Sequence, residues 1–170
     1  MFEIIKLLFD ICLFRKGPQH LPYSPWLLRI TVVVYALVNF LMINIGVSRL
    51  YTLLMVGVGI LLVVGFSWTM LYFGHKRARF YQTTSALLGT DAMISFFAMP
   101  GVASMMTGGM TLLAFSVMIG LMIWHWAITG HIIRHALDQT LMFGLGLAFL
   151  YLLASYQVMA LLFPEAAGIE

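Results

Sequence analysis

From Leu50 to Phe73 the chain carries no Asp, Glu, Lys, Arg or His, and that stretch limits what the molecule can be. A spanning helix uses about 20 predominantly apolar residues, so the run is long enough to cross a bilayer and too apolar to face water. Similar runs are expected at 26–46, 81–99, 110–132 and 141–163. Charged residues make up 9% of the 170 positions, against about 25% in a soluble domain, too few to coat a globule. The expected fold class is therefore all-α integral membrane: a five-helix transmembrane bundle over 26–163, with four or six spans as alternatives if the Asp91 segment is irregular.

Between the runs the chain is punctuated. In residues 1–16, Glu3, Lys6 and Asp10 make one polar stripe on a helix otherwise covered by Phe, Ile and Leu, which suits an amphipathic helix lying in the interface. Acids within its apolar part, and no small-residue cleavage site, argue against a signal peptide. Residues 17–25, rich in proline, form a loop; Ser24 is a candidate N-cap with Pro25 at the first helical position. Gly57 and Gly65 share one helical face, where a neighbour could approach closely. Pro100-Gly101 is expected to stop the third span and Gly108-Gly109 to close the following loop. HWAITGHIIRHALD is expected to carry the fourth helix into solvent, and 164–170, with Glu165 and Glu170, is a short acidic tail.

With five spans, Lys6, Arg15, Lys16, Arg29, Lys76, Arg77, Arg79 and Arg134 fall on one side and only Arg49 on the other. That bias places the N-terminus in the cytoplasm and the C-terminus outside. Trp26, Trp68, Tyr72, Tyr81, Trp124 and Trp126 gather towards the same side as an aromatic belt. Clustered at this boundary, Lys76, Arg77, Arg79 and Arg134 are expected to contact anionic lipid or a partner, and the net charge of +3 is no nucleic-acid signal.

Asp91 stands alone in SALLGTDAMISFF. At 1.5 Å per residue it lies roughly 15 Å beyond Tyr81, near the middle of a ~30 Å core. A charged Asp there costs roughly 2.5–3.5 kcal/mol, so it should face the bundle. Thr84, Leu88, Asp91 and Ser95 share its helical stripe. Asn39 lies at a comparable depth and could donate its amide, and His125, roughly 11 Å from its helix end, is a second partner. Tyr151 and Ser155 are a third option. Asp91 with His125 as relay is a candidate proton or ion site, expected to rest as the neutral pair because desolvation penalises both charges. The bland alternative is a carboxyl that only locks neighbouring helices together.

His131 and His135, one turn apart, with Asp138 beyond them, have metal-binding spacing, but Arg134 opposes a cation there and no third close ligand appears. Basic residues at a helix C-terminus are the plainer reading. Haem b would need axial ligands on two helices, which only His20 or His75 with His125 or His131 could supply, so no cofactor is expected. Methionines fill gaps between helices, and Met105, Met106 and Met110 are only a faint copper hint. The glycines of VGVGI and FGLGL follow no strand and are packing glycines. With Cys12 the single cysteine, no intramolecular disulfide or CxxC site can form. No GxSxG motif, intramembrane Ser–Lys pair or aspartyl dyad points to an enzyme.

Across residues 26–163 the layout of five spans, a basic turn and the QTTSALLGTDA segment resembles small Yip1-type membrane proteins, including Yip1-like proteins of bacteria. The LFRKGPQHLPYSP segment is similar to small bacterial inner-membrane proteins. The resemblance implies a multi-pass protein of the bacterial inner membrane with a scaffold or membrane-organising role, and carries over no functional residue. The expected function is a non-enzymatic accessory subunit of a larger membrane assembly, in contact with other membrane subunits. The alternatives are a small proton- or ion-coupled transporter using Asp91, and a haem- or metal-binding redox subunit using the histidines.

Overall fold

The computed structural model describes residues 2–44, 48–107 and 112–164. They form α1 (Phe2–Cys12), α2 (Pro25–Ile43), α3 (Arg49–Phe73), α4 (Phe80–Thr107), α5 (Leu112–Leu137) and α6 (Leu141–Leu162), with 3-10 turns at Pro18–His20 and Arg77–Arg79 and no strand among the described residues. Five of the helices, α2 to α6, are long and apolar enough to cross a membrane, which is compatible with an integral membrane protein.

Local chemistry sets the helix ends. Ser24 Oγ accepts the Leu27 N–H at 3.4 Å with Pro25 following, and Thr140 Oγ1 caps α6 by accepting from Phe143 N–H at 3.3 Å. Each side-chain oxygen satisfies a donor that the first turn leaves unpaired. Three turns close through a left-handed residue that is not glycine: Phe14, His75 and Asp138, at φ 60, 54 and 55°. In each case the next residue's N–H returns to a carbonyl five positions back, Arg15 to Asp10, Lys76 to Leu71 and Gln139 to Arg134, all at 2.9 Å. That bond closes the last turn as in a Schellman motif.

The centre of the bundle is α4, which packs against α1, α2, α3 and α5, while α6 lies against α5 and α3. Every residue from Thr83 to Thr90 is buried, as expected of a helix enclosed on all sides. α1 packs on α4 and α5 with Leu8, Ile11 and Cys12 buried. Its Leu8 side chain comes within 2.8 Å of where a Gly89 Cβ would sit, and Trp124 Nε1 donates to the Cys12 carbonyl at 3.1 Å. Of its polar stripe, Glu3 and Lys6 are exposed and Asp10 pairs with Lys16 at 3.1 Å.

Three expectations are corrected. α4 does not stop at Pro100-Gly101 but continues through Pro100 to Thr107; proline removes one intrahelical bond, and spanning helices tolerate that loss where neighbours support them. Gly101 supplies such a contact, for Met118 Sδ lies 2.9 Å from its missing Cβ. The end of α5 does not run into solvent: Ile128 to Ile133, Ala136 and Leu137 are buried. The chain after α1 folds over it, with the Lys16 carbonyl 3.0 Å from His131 Nε2 and Gly17 against the His135 ring. Finally, Gly57 and Gly65 meet no neighbouring helix, and a Cβ on either would find nothing within 4 Å. The close approaches are at Gly59, where the Tyr35 hydroxyl lies 2.9 Å from the missing Cβ, and at Gly144, which meets the Gly130 carbonyl and, at 2.9 Å, Arg134 Cβ. Gly46, the side chains of Met105 and Met106, the Gly108-Gly109 turn, Met110 and the tail from Glu165 to Glu170 lie outside the described residues.

Candidate functional site

The buried face of α2 reads Leu27, Thr31, Tyr35, Asn39, every fourth residue, which aligns the last two polar groups one above the other. α4 presents Asp91 and Ser95 at the same spacing, and α6 presents Tyr151 and Ser155. Tyr35, Asn39, Asp91, Tyr151 and Ser155, with His125 of α5, line a cavity of about 240 Å³ completed by Gly59 and Val56 of α3, and Ser95 hydrogen-bonds the lining Asn39. All five candidate spans thus contribute to one chamber.

Inside it, His125 Nε2 lies 3.5 Å from Asp91 Oδ1, with the two side chains 26% and 22% exposed. Such a separation exceeds the ~2.7–3.2 Å of a well-made N–H···O bond, so the pair is within reach of proton exchange after a small shift or through one water. The Tyr35 hydroxyl sits in the space that Gly59 leaves open, and its side chain lines the chamber together with Asp91. Across the chamber Tyr151 and Ser155 face the same space, and the Tyr151 ring packs on Phe66 at 4.3 Å.

Asn39 is engaged differently from the expectation. Its Nδ2 donates to the Tyr35 carbonyl at 3.1 Å, and its Oδ1 accepts from Ser95 Oγ at 3.2 Å. It therefore ties α2 to α4 one turn beyond Asp91. Thr84 is fully buried on α4, where its hydroxyl has no hydrogen-bond partner among the described residues, like those of Thr83 and Ser85 beside it and Ser67 on α3. Sequence reasoning missed Tyr35 and Gly59. The available signal for Tyr35 was its position one turn before Asn39.

At the end of the bundle the basic residues are held by the protein itself. Lys76 Nζ and Arg79 Nη1 each reach the Asp138 carboxylate at 2.9 Å, and the same Arg79 nitrogen binds the His135 and Ala136 carbonyls at 3.0 and 3.2 Å. Arg79 and Lys76 hold the Asp138 carboxyl down to about 2. Arg77 is exposed and stacks over Tyr72 at 4.0 Å, and Arg134 is half-buried beside Gly144. The metal candidates do not converge on one point: the His131 and His135 rings touch edge to face at 4.5 Å centre to centre, but His131 is bonded to Lys16 and Asp138 turns to the α3–α4 connection. No group of three His, Cys, Asp or Glu able to hold a metal ion occurs among the described residues. Of the haem candidates, His20 folds back on the Gly17 carbonyl at 3.1 Å and His75 is exposed.

No protein-family model, curated protein or solved structure matches the chain. Its chemistry rests on the residues themselves. A carboxyl, an imidazole and three phenols converge on one small space, and each can take up or release a proton or a hydrogen bond. The arrangement can take up and release a proton.

Proposed function

We propose that the protein is a small proton-exchanging membrane carrier working through Asp91. The observation that carries this reading is a partly accessible carboxyl, 3.5 Å from an imidazole, lining a cavity shared by five candidate spans. A carboxyl that served only to lock helices would be closed in by its partners. Asp91 instead borders open space, although placing a charged group at that depth costs roughly 2.5–3.5 kcal/mol. In the proposed cycle a proton bound on Asp91 passes to His125 Nε2, or through a chamber water, and Tyr35 steadies the carboxylate while it is charged.

The orientation proposed from the sequence is retained, with the N-terminus cytoplasmic and the C-terminus outside. Lys16, Lys76, Arg79 and Arg134 support it, since all lie where the end of α5 meets the loop after α1 and the α3–α4 turn, and such clusters favour the cytoplasmic face. At that face α1 would contact anionic lipid headgroups.

The test is proton flux into liposomes carrying a pH-sensitive dye. Wild type should conduct or exchange protons above empty vesicles, Asp91→Asn should abolish this, and His125→Gln should slow it. Equal flux in wild type and Asp91→Asn would remove the carrier reading. A gentle-detergent pulldown recovering the same companions with both proteins would then favour an accessory subunit.

A further inference from the structure

The same chamber carries information about its solute. Its lining includes one acid, Asp91, with no lysine or arginine, and three phenols, Tyr35, Tyr151 and Tyr156. Met55, Met159 and aliphatic side chains complete the wall. Such a lining disfavours an anion, which would meet the Asp91 carboxylate and find no lysine or arginine, with His125 the one side chain there that can become positive. A positive solute would gain the carboxylate and, from aromatic rings around it, cation–π attraction. At about 240 Å³ the space lies below the ~300–1,000 Å³ of drug-sized pockets, so the solute is small.

A second observation bears on how the solute arrives. His125 and Leu152 also line an adjoining cavity of about 480 Å³, otherwise walled by Met122, Ile123, Trp126, Phe149 and Leu153. Of these, Met122, Ile123, Phe149 and Leu153 are exposed on the apolar outer surface of α5 and α6, which in a bilayer is the lipid side. His125 and Leu152 thus stand between the Asp91 chamber and an apolar vestibule facing lipid. A solute using that route must itself be lipophilic.

We infer that the chamber binds a small lipophilic organic cation, a protonated or quaternary amine, beside Asp91, admitted past His125 from the bilayer side. This deepens the carrier reading and rests on it for the coupling: Asp91 gives its proton to water as the cation enters and takes one back when the cation leaves, so the chamber's charge balances at each step.

The test uses benzyltrimethylammonium as cation and benzenesulfonate as anion of similar size, titrated calorimetrically against the full chain in nanodiscs. The cation should bind and the anion should not. Asp91→Asn should weaken the cation by at least about tenfold and Tyr35→Phe by a smaller factor. Leu153→Trp, which fills the vestibule, should slow association more than it changes Kd. Binding of both probes alike, or of neither, by wild type overturns the inference without recourse to any variant. Circular dichroism and size-exclusion profiles confirm that each variant is folded, and if Asp91→Asn is not, Tyr35→Phe and the wild-type probe preference decide. Asp91-dependent proton flux without cation binding would reject the inference and leave the carrier standing. Cation binding without flux would do the reverse.

Discussion

Arg79 and Asp138 meet at 2.9 Å across the junction of two turns, and the same guanidinium nitrogen also reaches the last carbonyls of α5. One side chain therefore caps a helix C-terminus, where positive charge is favoured, and ties the α3–α4 connection to the α5–α6 connection. The Asp138 carboxyl is held at about 2 in the folded protein, below the ~3.9 of an unperturbed Asp. A depressed carboxyl stabilises the fold above its unfolded pKa and loses that contribution as pH falls through its folded pKa. Thermal unfolding in detergent should therefore show Tm falling from about pH 4 to about pH 2 in wild type, with a shallower fall in Asp138→Asn. Parallel pH profiles would mean that the ion pairs contribute nothing.

Gly144 and Gly130 set the spacing of α5 and α6. A Cβ on Gly144 would press on the Gly130 carbonyl and lie 3.1 Å from the Arg134 backbone nitrogen, and backbone on a packed helix cannot easily give way. Gly144→Ala should destabilise by about 1–3 kcal/mol, the usual cost of overpacking. Gly146→Ala is the control on the same helix, since its Cβ would meet nothing within 4 Å and alanine favours a helix over glycine. Resistance to SDS-induced unfolding should fall in the first variant and hold or rise in the second.

What could be read from the sequence was what local chemistry determines. The uncharged run from Leu50 to Phe73 and the Ser24-Pro25 start each depend on neighbouring residues, and α3 and α2 follow them closely. Counting depth from helix ends also brought Asp91 and His125 to a common level, because helical rise is constant. Rotation about the helix axis is another matter. Gly57 and Gly59 are equivalent in sequence, and only the packing of α2 against α3 selects Gly59 as the one that faces Tyr35. Tyr35 escaped notice for the same reason, since a lone Tyr among Val, Ala and Leu has no charge whose cost must be answered. Proline misled at Pro100 because the intrahelical bond it removes can be compensated by neighbouring helices in a packed bundle, and α4 is supported on several sides.

Cys12 lies at the end of α1, buried between α4 and α5 with its carbonyl held by Trp124. Burial pushes its thiol up to about 12, leaving a reactive thiolate fraction at pH 8 on the order of 10⁻⁴. Maleimide should leave the folded protein unlabelled while modifying SDS-denatured protein rapidly. Equal rates would show that α1 leaves the bundle often enough to expose the thiol. Labelling that appears after Gly89→Leu, which intrudes on Leu8, would locate the contact that holds α1 down.

Gly59 connects packing to chemistry. The Tyr35 hydroxyl occupies the space its missing side chain leaves, 2.9 Å from where a Cβ would be, and from there the phenol borders the chamber that Asp91 also lines. Gly59→Ala adds a methyl that meets the far end of a flexible ring, so Tyr35 can move while the helices stay in place. The fold should survive, with stability changed by less than about 1 kcal/mol because alanine's helix preference offsets the local crowding. Proton flux and cation affinity should both fall, as in Tyr35→Phe, although neither Asp91 nor His125 has been altered. Gly57→Ala, two positions away on the same helix and facing open space, should leave both unchanged. If Gly59→Ala and Gly57→Ala behave alike, the placement of Tyr35 is incidental and Asp91 acts without it. If only Gly59→Ala loses flux, and Tyr35→Phe in that background costs nothing further, the two residues act through a single hydrogen bond.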